Sequence, residues 1–297
     1  MRHVLEIDDL SVVELDQVLT LASRGDVPTP LAGRGVALVF EKPSARTRNS
    51  MELATVQLGG HPVYIRPEEV GIETRETAED VIRTLGCYHD VVAARVFSHG
   101  VLERMAAVDV VPVVNLLSDE AHPMQALADL LTIRQIFGDV SDLTVTYVGD
   151  ANNVWRSLAI GCAMTGISSR VSSPTGYGAT EQDLARIARW GPPAQVVDDP
   201  HEAVSGAHVI YTDVWTSMGQ ETERVERLAA FEGFGVDGSM MARAAEGAVF
   251  LHCLPAHRGE EVTDEVLEGP SSRVWQQAEN RMHAARGLLW LLAEASR

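Results

Sequence analysis

Short apolar runs rich in β-branched residues recur along the chain with helix-patterned stretches between them, and this alternation leaves few folds open. The runs are Gly35 to Phe40, Asp90 to Val96, Val110 to Leu116, Leu143 to Val148, Ala207 to Tyr211 and Gly247 to Leu251. Each is nearly continuous in apolar character rather than alternating, which is the pattern of strands buried on both faces. Helical patterns such as Met124 to Phe137 and Asp183 to Trp190 lie between them. The expected fold is α/β and doubly wound, with mostly parallel sheet flanked by helices. With 297 residues, 45% of them hydrophobic, the chain can bury two such units. Gly138-Asp139 interrupts the pattern, so a boundary is expected between Ile136 and Leu143.

Both ends of the chain read as helices. Ser11 can cap the first, Glu14 stands at the capping-box position, and Leu10 and Leu15 can staple it. Leu15, Val18, Leu19 and Ala22 form its buried stripe, and Gly25 can end it. The last helix, about Val274 to Glu294, is the longest, with Met282, Ala285, Leu289 and Leu292 in its stripe.

The formal net charge of -18 argues against nucleic acid and anionic membranes as partners. A chain this acidic that binds an anionic substrate must gather its few arginines at the site. No run of about 18 apolar residues predicts a membrane span. Met1 to Glu6 lacks the apolar region of a secretory signal. Cys87, Cys162 and Cys253 are too few, and odd in number, for a disulfide framework. The expected location is cytoplasmic.

In open α/β sheets, ligands bind beyond the carboxyl ends of the strands. Six runs are followed there by polar groups that a core would not select: Ser44 to Arg48, Arg95 with His99, Asn115 with His122-Pro123-Met124-Gln125, Gly149 to Asn153, Asp213 to Gly219, and His252-Cys253-Leu254-Pro255. Their shared position predicts one cleft. Ser44 to Arg48 opens a helix expected to reach about Leu58, and a helix start with two hydroxyls and Arg46 suits a phosphate. A plain N-cap explains that segment about as well until the scarcity of arginine is weighed. Pro123 holds His122 at a helix mouth, with Gln125 one turn inside, either as a capping histidine or to meet a carbonyl oxygen and an amide NH2.

The asparagines after Gly149 suit a zwitterion or a turn, and the missing G-x-G-x-x-G disfavours a dinucleotide. Asp213 can pair with an ammonium group or cap a surface loop. His252 and Cys253, adjacent at a strand end, should face opposite sides. His252, Cys253 and His257 lack structural zinc spacing, so no metal is expected.

Read together and in order, Ser44-x-Arg46-Thr47-Arg48, His122-Pro123-x-Gln125, Asp213-x3-Ser217-Met218-Gly219 and His252-Cys253-Leu254-Pro255 resemble the signature set of the aspartate/ornithine transcarbamoylase family. The last two motifs resemble its ornithine branch, and the likeness runs from about Val36 to Leu292. It implies a carbamoyl phosphate domain, 1–137 closed by the C-terminal helix in 276–297, and an ornithine domain, 138–275. It also implies a homotrimer acting on carbamoyl phosphate and L-ornithine with no metal or organic cofactor.

By position, the resemblance assigns Ser44, Ala45, Arg46 and Thr47 to the phosphate, with Arg281 completing that side. Arg95 and His122 join Thr47 at the carbonyl oxygen. Gln125 and the carbonyls of Cys253 and Leu254 take the carbamoyl nitrogen. Asn153, Asp213, Ser217 and Met218 hold the amino-acid end of ornithine, and Cys253 lies near its reacting amine. Position 45 is Ala where the family carries Thr, which leaves backbone N–H groups to make that contact. Other acceptors (putrescine, N-acetylornithine or aspartate) and a non-catalytic anion-binding homologue are the competing readings.

Overall fold

Both sheets follow from the apolar runs. The computed structural model describes residues 1–217 and 221–295. The chain divides into two compact units, Met1–Leu131 with Glu279–Arg297, and Thr132–Ala278. The division falls within two long helices, Pro123–Phe137 and Val274–Ala295.

The first unit holds β1 (Gly35–Phe40), β2 (His61–Ile65), β3 (Val91–Arg95) and β4 (Val113–Leu117), all parallel in the order β2-β1-β3-β4. β3 is buried at every position and β1 at all but its first, as two-sided burial requires. Ala37, Val39, Val92 and Ala94 pack with Val81 and Ile82 of the helix Ala78–Gly86 and with Val101 and Leu102 of the helix His99–Ala107. Each such Val, Ile or Leu contributes about 1.5–3 kcal/mol by leaving water.

The first helix, Val12–Ala22, has the expected capping box: Glu14 N–H donates to Ser11 Oγ at 3.2 Å, and Ser11 N–H to Glu14 Oε2 at 2.8 Å. It does not run to Gly25. Ser23 closes it, its hydroxyl donating to Leu19 O at 2.9 Å, so a side chain ends the helix before the glycine is reached. The C-terminal helix packs closely on this one. A Cβ at Gly287 would lie 2.4 Å from Val18 O, so only glycine allows the approach. Arg286 donates to Ala22 O (2.8 Å) and Arg24 O (2.9 Å), satisfying carbonyls at the end of the first helix.

The second unit holds β5 (Thr144–Val148), β6 (Ser168–Ser172), β7 (Gln195–Val196), β8 (Val209–Thr212) and β9 (Val249–His252), parallel in the order β7-β6-β5-β8-β9. Val148, Ile210 and Phe250 pack with Val236, Met240 and Val262. Among the described residues, no helix is long and apolar enough to cross a membrane.

Candidate active site

In the first unit, the loop after β1 ends at Ser44, whose extended backbone and hydroxyl cap the helix Ala45–Gln57 by accepting from Thr47 N–H at 3.3 Å. Ser44 Oγ also lies 3.1 Å from Thr47 Oγ1. Two arginines stand in this first turn, and the structure separates them. Arg48 pairs with Glu52 at 2.8 Å and lies 3.9 Å from the Tyr64 ring centre. Arg46 is exposed and makes no ion pair among the described residues. The unpaired N–H groups and dipole of a helix start favour an anion there.

Glu41 holds the preceding turn in place. Its N–H donates to Arg95 O at 2.8 Å, and its carboxylate accepts from Phe97 N–H at 2.7 Å. Arg95 ends β3 at a register shift against β4, with 7% of its surface exposed. His122, 4% exposed, directly precedes the helix Pro123–Phe137. Burial, then the Arg281 and Arg95 charges, hold its imidazole far below the ordinary histidine range. It is therefore neutral at physiological pH, with one ring N–H to donate.

From the C-terminal helix, Arg281 donates to Gln125 Oε1 and, at 3.3 Å, to Thr47 Oγ1. Gln125 in turn donates to the buried Asp129 at 2.8 Å. Its amide thus has both ends engaged, and a second lone pair on Oε1 remains for an N–H donor. The structure brings Thr47, Gln125 and Arg281 into one bonded cluster, with the Arg281 and Arg95 charges acting on His122.

Two residues counted among the strand-end polar groups instead serve the fold. His99 Nδ1 lies 2.7 Å from Ser118 Oγ, and Asn115 donates to Leu5 O (2.9 Å) and Ser118 Oγ (3.1 Å). Both hold the loop after β4.

In the second unit, Asp213 directly follows β8 with 6% exposure, which rules out a surface-loop cap. Its Oδ1 accepts from Val214 N–H at 2.8 Å and from the Cys253 thiol at 2.9 Å. Its Oδ2 accepts from Asn152 at 3.2 Å. Asn152, the neighbour of the Asn153 that the resemblance assigns to ornithine, also caps the helix Asn153–Met164 through Val154 N–H (2.9 Å) and Trp155 N–H (3.2 Å). Asn153 and Ser217 are half-buried near these groups in sequence, and Met218 lies outside the described residues. The 2.9 Å approach of Cys253 Sγ to Asp213 Oδ1 is that of a thiol–carboxylate hydrogen bond.

One ligand atom each of Asp213, His252 and Cys253 lies within 4.8 Å of the others. That closeness was not expected of His252 and Cys253 as strand neighbours on opposite faces. Both ring nitrogens of His252 are nevertheless engaged, Nδ1 by Leu254 N–H at 2.8 Å and Nε2 by Glu261 Oε1 at 3.3 Å. No ring lone pair is left for a cation.

A second arginine network was not anticipated. Arg227, 6% exposed, donates to Asp150 Oδ2 (2.7 Å), Glu223 Oε2 (2.9 Å) and Trp215 O (3.0 Å), with its guanidinium 4.9 Å from the Tyr177 ring centre. Burial pushes the Asp150 carboxyl above its usual range, although Arg227 opposes it. Arg227 itself is raised: burial disfavours its charge, but Asp150 and Glu223 together outweigh that. Two carboxylates sharing one guanidinium explain why the cation gains more from the arrangement than Asp150 does.

A helix start of the kind that suits an anion in one parallel-sheet unit, and a buried carboxylate in the other, are compatible with a group transferase that takes a phosphorylated donor. Comparison with known sequences narrows the class. The profile of the aspartate/ornithine carbamoyltransferase carbamoyl-P binding domain matches residues 2–135, and that of the Asp/Orn binding domain matches residues 141–292. A protein of Haloquadratum walsbyi named ornithine carbamoyltransferase is 48% identical over 97% of this chain and 96% of its own length. The crystal structure of ornithine carbamoyltransferase from Thermus thermophilus superposes with a TM-score of 0.90 at 44% identity, covering 98% of this chain and 99% of that one. The Pyrococcus furiosus ornithine carbamoyltransferase gives 0.93 at 42% identity, covering 98% and 96%. The chain belongs to the aspartate/ornithine carbamoyltransferase family.

Proposed function

We propose that the chain transfers the carbamoyl group of carbamoyl phosphate to the side-chain amine of L-ornithine, giving citrulline and phosphate. The observation that carries this is nearly end-to-end identity of 48% to a relative bearing the ornithine carbamoyltransferase name. In the reaction, the neutral amine attacks the carbamoyl carbon, the bond from that carbon to the phosphate oxygen breaks, and phosphate leaves with the electron pair. The nitrogen sheds a proton, which the departing phosphate takes up.

The residue roles are those the family resemblance implies, and the geometry of each cluster is compatible with them. Ser44, Ala45, Arg46 and Thr47 receive the phosphate at the helix start, with Arg281 beside them. Arg95, His122 and Thr47 donate to the carbonyl oxygen as negative charge builds on it. A neutral His122 serves there as a donor and not as an acid, because its buried ring resists protonation. One donor aimed at such an oxygen typically lowers the barrier by about 3–4 kcal/mol. Gln125 and the carbonyls of Cys253 and Leu254 take the carbamoyl nitrogen. Asn153, Asp213, Ser217 and Met218 hold the amino-acid end of ornithine, and Cys253 sits near the reacting amine without forming a bond to carbon.

The same reading includes a cytoplasmic homotrimer that needs no metal or organic cofactor, and sedimentation of the purified chain measures the assembly. The decisive assay is initial rate with carbamoyl phosphate and ornithine, followed by product identification. Putrescine, N-acetylornithine and aspartate are offered in parallel. Citrulline formed at the highest specificity constant is expected, and a preference for another acceptor would overturn the assignment.

A further inference from the structure

The most deeply buried acid in the second unit has no part in the chemistry above. Glu261 is 0% exposed and His252 1% exposed, and the two meet at 3.3 Å between Glu261 Oε1 and His252 Nε2. Buried ionisable groups of this kind are kept only when they are hydrogen-bonded. The other ring nitrogen decides the direction of the contact. Leu254 N–H can only donate, and it lies 2.8 Å from His252 Nδ1, so Nδ1 must be an acceptor. The proton of the neutral ring then resides on Nε2 and is donated to Glu261. A doubly protonated ring would turn Nδ1–H against the Leu254 N–H, and the opposite tautomer would do the same while leaving two acceptors face to face at Nε2. The backbone around the ring is pinned as well. His252 N–H donates to Gln277 Oε1 at 2.9 Å, and Glu261 Oε1 also accepts from His257 N–H.

Leu254 shows what this arrangement supports. Its φ is +59°, a left-handed conformation unfavourable for a side chain larger than glycine. Such a residue persists where its surroundings over-determine it, and here the acceptor for its N–H is His252 Nδ1. We propose that Glu261 is a positioning residue: by fixing the Nε2–H tautomer of His252, it holds the Cys253–Leu254 turn in the shape that presents its carbonyls to substrate. The functional half of this inference rests on the proposed role of those carbonyls, and the tautomer does not.

The test has two arms on the full-length chain. Long-range ¹H–¹⁵N correlation of the wild type, with His252 assigned by its loss in His252→Asn, is expected to show a neutral ring with a pyrrole-type Nε2 and a pyridine-type Nδ1. A protonated Nδ1 in either a neutral or a charged ring overturns the proposal, with no variant needing to fold. In the kinetic arm, Glu261→Ala is expected to lose roughly 10- to 100-fold in kcat, the scale of a small misplacement at a reacting centre. Affinity for inorganic phosphate, whose proposed seat is in the first unit, should stay unchanged. Glu261→Gln should recover most of the loss, because its amide oxygen still accepts from His252 Nε2–H and His257 N–H.

Wild-type kcat in Glu261→Ala, or no recovery in Glu261→Gln, overturns the positioning role. A wild type with the expected tautomer but no turnover with ornithine would instead refute the proposed function and leave the relay standing.

Discussion

Replacing Arg227 by methionine should separate the two halves of the reaction. The side chain spans the buried space between Asp150, two residues before the Asp213 partner Asn152, and Trp215 O, two residues before Ser217. Methionine fills much of the volume and makes none of the four contacts. Breaking a buried pair by removing one partner costs about 3–5 kcal/mol. The lower end applies here, because the Asp150 side chain keeps 17% exposure. The sign of the pH dependence follows from Asp150. Burial already raises it above its ordinary 3.8, with Arg227 opposing and with Asp213 and Glu223 adding to the rise. Without Arg227 the rise grows. A carboxyl whose folded pKa exceeds its unfolded one destabilises the fold as pH climbs from the unfolded value through the folded one. Urea unfolding should therefore show a loss of about 3 kcal/mol at neutral pH that shrinks steadily on acidification. In steady-state kinetics, the KM for ornithine should rise about tenfold or more, equivalent to about 1.4 kcal/mol, with the KM for carbamoyl phosphate held. A stability loss that does not change with pH would mean that packing alone was disturbed. Equal shifts in both KM values would refute the assignment of Arg227 to the acceptor side.

Three further substitutions probe the other groups. Arg95→Ala should lower kcat by roughly 10²- to 10³-fold, the usual cost of one donor to a developing oxyanion, and near-normal turnover of folded enzyme would remove Arg95 from that role. Cys253→Ser should reduce kcat without abolishing it, since a hydroxyl can still donate to Asp213; a complete loss with ornithine still bound would point to a nucleophilic sulfur. Ala45→Glu should strengthen the helix Ala45–Gln57 by about 0.3–1 kcal/mol through its dipole while weakening carbamoyl phosphate binding severely. Calorimetry and inhibition by inorganic phosphate would show whether stability and affinity move in opposite directions.

What could be read from the residues alone depended on whether the signal was local. β1, β3, β4, β5, β8 and β9 announce themselves because buried parallel strands need apolar side chains on both faces. β2, β6 and β7 do not: His61-Pro62, Ser168-Ser169 and the two exposed residues of β7 lie toward sheet edges, where no continuous apolar run is required. Ser11 and Glu14 were legible because a capping box is complete within four positions. Asn152 was not separable from Asn153 by type, and only the cap geometry distinguishes them. Arg227 stands four residues after Glu223, the spacing of an ordinary solvated helix pair, and its decisive partner is 77 positions away. His252 was placed correctly at a strand end, but its link to Glu261 depends on a turn that pattern reading does not reach.

The distribution of acid explains how a chain with 42 Asp and Glu against 24 Lys and Arg can still present a positive seat. Helices away from the clusters use carboxylates in their first turns: Glu14, Glu79 with Asp80, Glu181 with Asp183, and Asp264 with Glu265. Each stabilises its own helix by satisfying the dipole, and each thereby uses up the positive end. The helices that begin at Ala45, Pro123 and Asn153 have no acid in the first turn. They forgo that stabilisation and keep their N-terminal potential available for a ligand. Ser44 and Asn152 provide neutral caps instead, which satisfy orphan N–H groups without adding charge. The buried carboxylate of the second unit comes from elsewhere, from Asp213 just after β8, where Asn152 and Cys253 orient it. Peptide dipoles thus supply part of the positive field that so acidic a composition cannot supply through side chains, and the few arginines are left to give that field direction.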